Sequence, residues 1–180
     1  MNGTIKEETM QPDLQANWPW IVRHFEQGLK RSIFYTFATV NADGSPHLAP
    51  YASLVLNNDC TGYYSDVFPN QMSRNLADNP RICIMAVDCG IWYWLKGVVL
   101  GRFDHWPGIR LYGTVEKSRE ARPGEVERWR VRVKRFKPFK GYDLIWKDVH
   151  TVRDIRFTRF EPVRVGPMTR HLVTVGPLAG

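Results

Sequence analysis

Cysteine is scarce: Cys60, Cys83 and Cys89 are the only three in a chain of 180 residues. An odd number without close metal-ligand spacing excludes a disulfide framework and a zinc motif. The three read as reduced, mostly structural thiols of a cytoplasmic protein. No run approaches the roughly 18 consecutive apolar residues of a membrane span. The opening stretch "MNGTIKEETMQPD" has no apolar core and carries acids, so no secretory signal is expected there. A Gly-x-Gly-x-x-Gly turn and a Walker-type loop are both missing, which leaves the common nucleotide folds without support. No Gly-x-Ser-x-Gly elbow marks a nucleophile. The histidines (His24, His47, His105, His150 and His171) are too scattered for a metal motif, and Asp104-His105 reads as polar surface. Internal repeats and low-complexity tracts are also lacking.

What is present is ordinary in bulk and unusual in detail. Apolar residues make up 43% and charged residues 24%, values of a globular protein. The length suits one domain over residues 1–180, with a helical segment at 1–30 and a tail at 166–180. Seven Trp, seven Tyr and nine Phe are a heavy aromatic load, suited to a core, a flat ligand or an interface. The formal charge of +7 is unevenly spread, and "RWRVRVKRFKPFK" (128–140) holds seven cations and no acid. Cations interleaved with aromatics can grip nucleic-acid phosphates and stack bases. The local order favours a solvated helix face instead. Pro123, Glu125 and Glu127 come early and the cations late, as a helix dipole prefers. Val126, Trp129, Val133 and Phe136 share one helical face, although alternation through Trp129, Val131 and Val133 also fits a strand.

The rest of the chain reads mostly as strands. "WPWIVRHFEQG" (18–28) is a helix with Pro19 near its start and Gly28 as its stop. "IFYTFATV" is β-branched and aromatic, "NADG" turns, and "SPHLAPYASLVL" resumes an extended run. "CTGYYS" is a short strand, and "RICIMAV", without polar alternation, is a strand buried on both faces. "IRLYGTVEKS" alternates cleanly, and its glycine marks a bend or a close backbone approach. "DIRFTRFEPVRVG" places Ile155, Phe157 and Phe160 inward with arginines outward. Antiparallel strands with short turns and a few helices read as a small β-barrel with helices outside.

Between the third and fourth strands lies "NQMSRNLAD", a helix of very few turns. Such a helix is marginal alone, so packing or a ligand must hold it. Its start offers unpaired N–H groups with Ser73 and Arg74 beside them, a combination that suits a phosphate. On these residues alone the plainer reading also stands, in which Asn70 or Ser73 caps the helix and Arg74 is solvated.

The succession "FYTFATVNADGSPHLAPYASLVL", "GYYSD", "MSRNLADNPRICIMAVD" and "IRLYGTVEKS" resembles the FMN-binding split-barrel family, the group related to pyridoxamine 5'-phosphate oxidase. The similarity spans roughly residues 30–165. The "ATVNADGSPHLAP" hairpin and the "RNLADNPR" junction are its most specific pieces. The resemblance implies a mainly β, α+β fold: a six-stranded antiparallel split barrel with peripheral helices. It implies a homodimer with FMN in the groove between protomers. The second strand would run beside the flavin ring through Ala49, Pro50, Tyr51 and Ala52. The third would meet its polar tail at Tyr64, Ser65 and Asp66. Gln71, Met72, Ser73 and Arg74 would hold the phosphate.

Oxidase members carry Ser-Arg-Lys where this chain has Asn70, Gln71 and Met72, so Ser73 and Arg74 are left to supply the anion contacts. Their substrate-holding Arg-x-His element has only "TRH" (169–171) as a counterpart. The implied function is therefore a flavin-dependent oxidoreductase acting on a small molecule, related to pyridoxamine 5'-phosphate oxidase without sharing its reaction. Related split barrels also bind haem or deazaflavin, which leaves a non-catalytic cofactor-binding protein as the alternative. In the haem case His24, His105 or His171 would be the axial ligand. The aromatic stretch 91–112 is read as a lid or dimer surface over the groove, or equally as a hydrophobic hairpin covering the barrel.

Overall fold

The computed structural model describes residues 13–66, 70–134, 137, 138, 140, 142 and 150–173. The expected assignments for 1–12, for the loop 67–69, for Phe136 and for 174–180 lie outside the described residues.

Helix α1 (Leu14–Ser32) is longer than its sequence signals suggest at both ends. It starts before Pro19 because the Asp13 carboxylate accepts from Gln15 N at 2.8 Å and Ala16 N at 3.3 Å. Gly28 does not stop it. A Cβ there would lie 3.4 Å from Ala86 Cβ and from Val87 O, so the glycine lets the helix sit close on a strand. The helix ends instead at Ile33, in the left-handed region at φ 71°, whose N–H bonds Leu29 O. Trp18, Ile21 and Phe25 recur at helical spacing and are buried.

Seven strands form one antiparallel sheet: β1 (Tyr35–Val40), β2 (Pro46–Tyr51), β3 (Val55–Leu56), β4 (Thr61–Ser65), β5 (Arg81–Val87), β6 (Gly108–Glu120) and β7 (Thr151–Pro162). Their order across the sheet is β2-β1-β5-β6-β7-β4-β3. The two edge strands, β2 and β3, are separated in the chain only by residues 52–54. Four residue steps span no more than about 14 Å, so the sheet must roll until its edges nearly meet. The result is an α+β split barrel. The seventh strand arises because the run expected as one strand over 45–56 breaks at a corner. There the Ser53 hydroxyl bonds Ser65 N at 3.2 Å, replacing ladder pairing.

Strand β5 lies between β1 and β6, with Ile82, Ile84 and Ala86 buried and Cys83, Met85 and Val87 half-buried. Gly113 shows the close approach its sequence context suggested. It sits at a bulge in the β6–β7 ladder, where a Cβ would lie 2.4 Å from Arg156 O. The core joins Trp18, Ile21 and Phe25 of α1 to Phe37, Tyr64, Leu111, Ile155 and Phe160. Met72 and Leu76 of α2 (Gln71–Asp78) enter the same core, so packing holds this short helix in place.

The stretch 91–100 is neither hairpin nor strand. It forms helix α3 (Ile91–Leu100), ended by Gly101 at φ 65°. Helix α4 (Pro123–Val133) carries the first part of the basic run, Arg128 to Val133, and there the helical reading holds. Glu125 reaches back to Arg122 N at 2.8 Å, while Trp129 and Val133 are buried.

Candidate functional site

The seam where the sheet edges meet gathers polar groups from four elements. Tyr51 ends β2, its ring stacked on Phe37 at 4.9 Å and edge-on to Tyr64 at 5.6 Å. Its hydroxyl accepts from Asn70 Nδ2 at 2.6 Å. Asn70 is also the N-cap of α2, since its Oδ1 accepts from Ser73 N at 3.0 Å. The Ser73 hydroxyl donates to Asp66 Oδ1 at 2.8 Å, and the other oxygen of Asp66 accepts from Arg153 Nε of β7 at 2.7 Å. The side chains of Asp66 and Arg153 are only 6% and 13% exposed, so this pair is partly desolvated and fixed.

Behind the seam, Asn75 ties α2 to the barrel by donating to Thr39 Oγ1 and Asn41 Oδ1 at 3.1 and 2.8 Å. Arg74 points outward, its guanidinium donating to Gln71 Oε1 at 2.8 Å and facing no carboxylate among its hydrogen bonds. The corner after β2 is held from α4, where Arg132 donates to Leu54 O at 2.7 Å and Ala52 O at 3.4 Å. Arg132 thus leaves the solvated face expected for the basic run, and Arg128 lies over the Tyr63 ring at 5.7 Å.

Of the eleven residues the family resemblance suggested, the seam joins Tyr51, Tyr64, Asp66 and Ser73 through direct contacts. Gln71 and Arg74 stand at its rim, and Ala49, Pro50 and Ala52 continue β2 and its corner. Met72 is fully buried, so only its backbone can face a ligand. Ser65 and Tyr64 are also buried, and their side-chain oxygens have no hydrogen-bond partner. Such groups are costly to leave unpaired and suit a polar ligand.

Sequence reasoning missed Arg153 and Arg132, because alternation marks both only as outward positions on their elements. Burial raises the pKa of Tyr51 and of Tyr64 above the ordinary phenol value, so both hydroxyls stay neutral at physiological pH.

The donors match an anion with a polar tail. The N–H groups of Gln71 and Met72 lie in the first turn, where no intrahelical partner exists. Ser73 and Arg74 flank them, and Arg153 offsets the charge of Asp66. The residues present therefore fit a flavin mononucleotide better than an uncharged flavin.

Of the three histidines weighed as axial ligands, His171 Nε2 lies 2.9 Å from Phe103 O, His105 Nε2 lies 3.3 Å from Asp88 Oδ2, and His24 is a buried residue of α1. Among the described residues, no group of three or more His, Cys, Asp or Glu could hold a metal ion.

The rolled antiparallel sheet with its peripheral helices defines the α+β split-barrel class. Residues 21–165 match the pyridoxamine 5'-phosphate oxidase family, and the chain belongs to it. No curated protein matches the sequence. Among solved structures, an FMN-binding protein from Syntrophomonas wolfei subsp. wolfei is similar at TM-score 0.55 and 14% identity, over 83% of this chain and 89% of that one. HupZ of Group A Streptococcus is similar at TM-score 0.52 and 21% identity, over 82% of this chain and 94% of that one. At such identities these likenesses concern the fold.

Proposed function

We propose that this protein binds FMN at the β2/β4/α2 seam and acts as a flavin-dependent oxidoreductase on a small molecule, as a cytoplasmic homodimer. The carrying observation is the start of α2, where Ser73, Arg74 and two first-turn N–H groups converge beside Asn70 and Tyr51. Family membership and the likeness to a protein named for binding FMN support the reading. The flavin would supply the electron transfer when bound. The chain's own residues would position and neutralise it. Tyr51 and the β2 backbone would border the ring, Ser65 and Asp66 the polar tail, and α2 the phosphate. Arg132 would keep the Ala52–Leu54 corner in shape beside the ring.

Pyridoxamine 5'-phosphate oxidation is not proposed. Within the segment 169–171, His171 meets Phe103 O in the loop before β6, while the Thr169 hydroxyl accepts from Val165 N at 2.9 Å within the stretch that follows β7.

Arg74→Ala is expected to weaken FMN by about 1.5–3 kcal/mol, the scale of a hydrogen bond to a charged group. Ser73→Ala should cost less, because a neutral hydroxyl contributes less and the N–H groups remain. Riboflavin affinity should be nearly indifferent to both changes. Flavin fluorescence quenching on wild type and variants measures this. Unchanged FMN affinity in a folded Arg74→Ala protein would place the phosphate elsewhere.

A further inference from the structure

Helix α3 presents an apolar surface that the flavin site does not use. At 100° per residue, Val98, Ile91, Leu95, Val99 and Trp92 fall within an arc of about 120°. All five are exposed, Trp92 to 81% and Val99 to 76%. The opposite side of the helix is the packed one. There Gly97 is buried so closely on Phe103 that a Cβ would meet the ring at 2.4 Å. Trp94 donates from its indole to Asp88 O at 2.5 Å, and Tyr93 donates to His105 O at 2.6 Å. Asp88 in turn accepts from Gly90 N at 2.9 Å and pairs with Arg31 of α1. The helix is therefore clamped to the body with its apolar arc turned outward. Trp94 belongs to the clamp.

Contiguous exposed apolar surface of this kind marks an interaction site. The surrounding charge indicates the partner. Lys96 borders the arc next to Trp92. Arg102 follows the helix, Lys30 and Arg31 end α1 beside Gly90, and Arg170 lies in the 3-10 stretch Gly166–Val173 that bonds Phe103. Asp104, an exposed acid of this neighbourhood, is paired with Lys96 at 2.6 Å. The chain as a whole carries +7. A convex apolar ridge with Trp and Lys at its margin and cations around it matches an anionic bilayer surface. A second copy fits less well, since two-fold packing of the arc would bring like charges together.

We propose that α3 is an interfacial anchor that seats the protein on anionic phospholipid membranes, with Ile91, Trp92, Leu95, Val98 and Val99 entering the headgroup boundary. Association would be peripheral, for no helix among the described residues is long and apolar enough to cross a membrane.

The test is flotation of the full chain with phosphatidylcholine vesicles with and without phosphatidylglycerol, for wild type and a Trp92→Glu/Val99→Glu variant. Both residues are exposed, so the variant should fold, as circular dichroism would verify. Wild type should float with the phosphatidylglycerol vesicles and about tenfold less with phosphatidylcholine alone. The variant should lose at least about tenfold in vesicle binding while keeping its mass in light scattering. Failure of wild type to bind, or equal binding by the variant, would overturn the proposal. A variant that instead changes oligomeric mass would assign the arc to self-assembly and overturn it equally.

Discussion

Arg119→Met is expected to lower the unfolding free energy by about 3 kcal/mol, the lower part of the range for breaking a buried ion pair from one side. Arg119 of β6 donates to both oxygens of Glu125, at 2.9 and 2.8 Å, and to both oxygens of Asp154, at 2.5 and 2.7 Å. One guanidinium thereby ties β6, β7 and the start of α4 together. The Glu125 side chain is only 6% exposed, and without Arg119 the Arg122 N–H is the one hydrogen-bond donor left to it among the described residues.

The pH dependence should separate this effect from ordinary loss of packing. In the wild type the bond from Arg119 is the largest influence and holds the Glu125 carboxyl below its ordinary 4.5, against burial. That stability is present above pH 4.5 and is lost as pH falls through the lower folded value. In the variant, burial pushes the same carboxyl upward, so stability attributable to it should rise as pH falls. Glu125→Gln added to Arg119→Met should recover part of the loss. Urea unfolding across this pH range would show both. A loss below about 1 kcal/mol with an unchanged slope would mean the cluster behaves as an exposed pair.

His24 is expected to make the protein lose about 3 kcal/mol of stability between pH 6.5 and pH 4. Burial foremost, and the neighbouring His105 after it, lower its pKa from 6.5 to about 4. The ring is 5% exposed, bonds the Ala86 backbone, and leaves Nε2 without a partner. Asp88 opposes the shift and Arg31 adds to it. Because the folded pKa lies below the unfolded one, the unfolded chain takes up the proton first as pH falls. Stability is therefore full above pH 6.5 and declines toward pH 4, by about 1.4 kcal/mol per unit in mid-window. His24→Asn keeps a donor for Ala86 and removes the titration. Its stability, measured by urea unfolding in the same buffers, should approach that of wild type as pH drops. Parallel curves for the two proteins would contradict the account.

Most of the barrel was legible in the sequence. Alternation and β-branching located β1, β4, β6 and β7, and the unbroken apolar run located β5 between two neighbours. The corner at 52–54 was not legible, since Ser53 acts through a tertiary bond to Ser65 that no local pattern encodes. Gly28 misled for the same reason: its role is set by Ala86 and Val87, far along the chain. At the seam, the helix start with Ser73 and Arg74 could be read from spacing and residue type. Arg153 could not, because its partner Asp66 lies 87 residues away. The stretch 91–112 reads in sequence equally as a lid or dimer surface and as a hairpin covering the barrel, since its apolar residues do not reveal which side packs. Only the packing of Gly97 on Phe103 shows which face turns outward.

The measurement that tests the central proposal most directly is flavin retention by the purified full chain. Protein incubated with excess FMN or riboflavin would be passed through gel filtration with light scattering and flavin absorbance read together. The account predicts one FMN retained per chain, on a particle of twice 20.9 kDa, with riboflavin lost on the column. Equal retention of the two flavins, or no flavin on a folded protein, would contradict it.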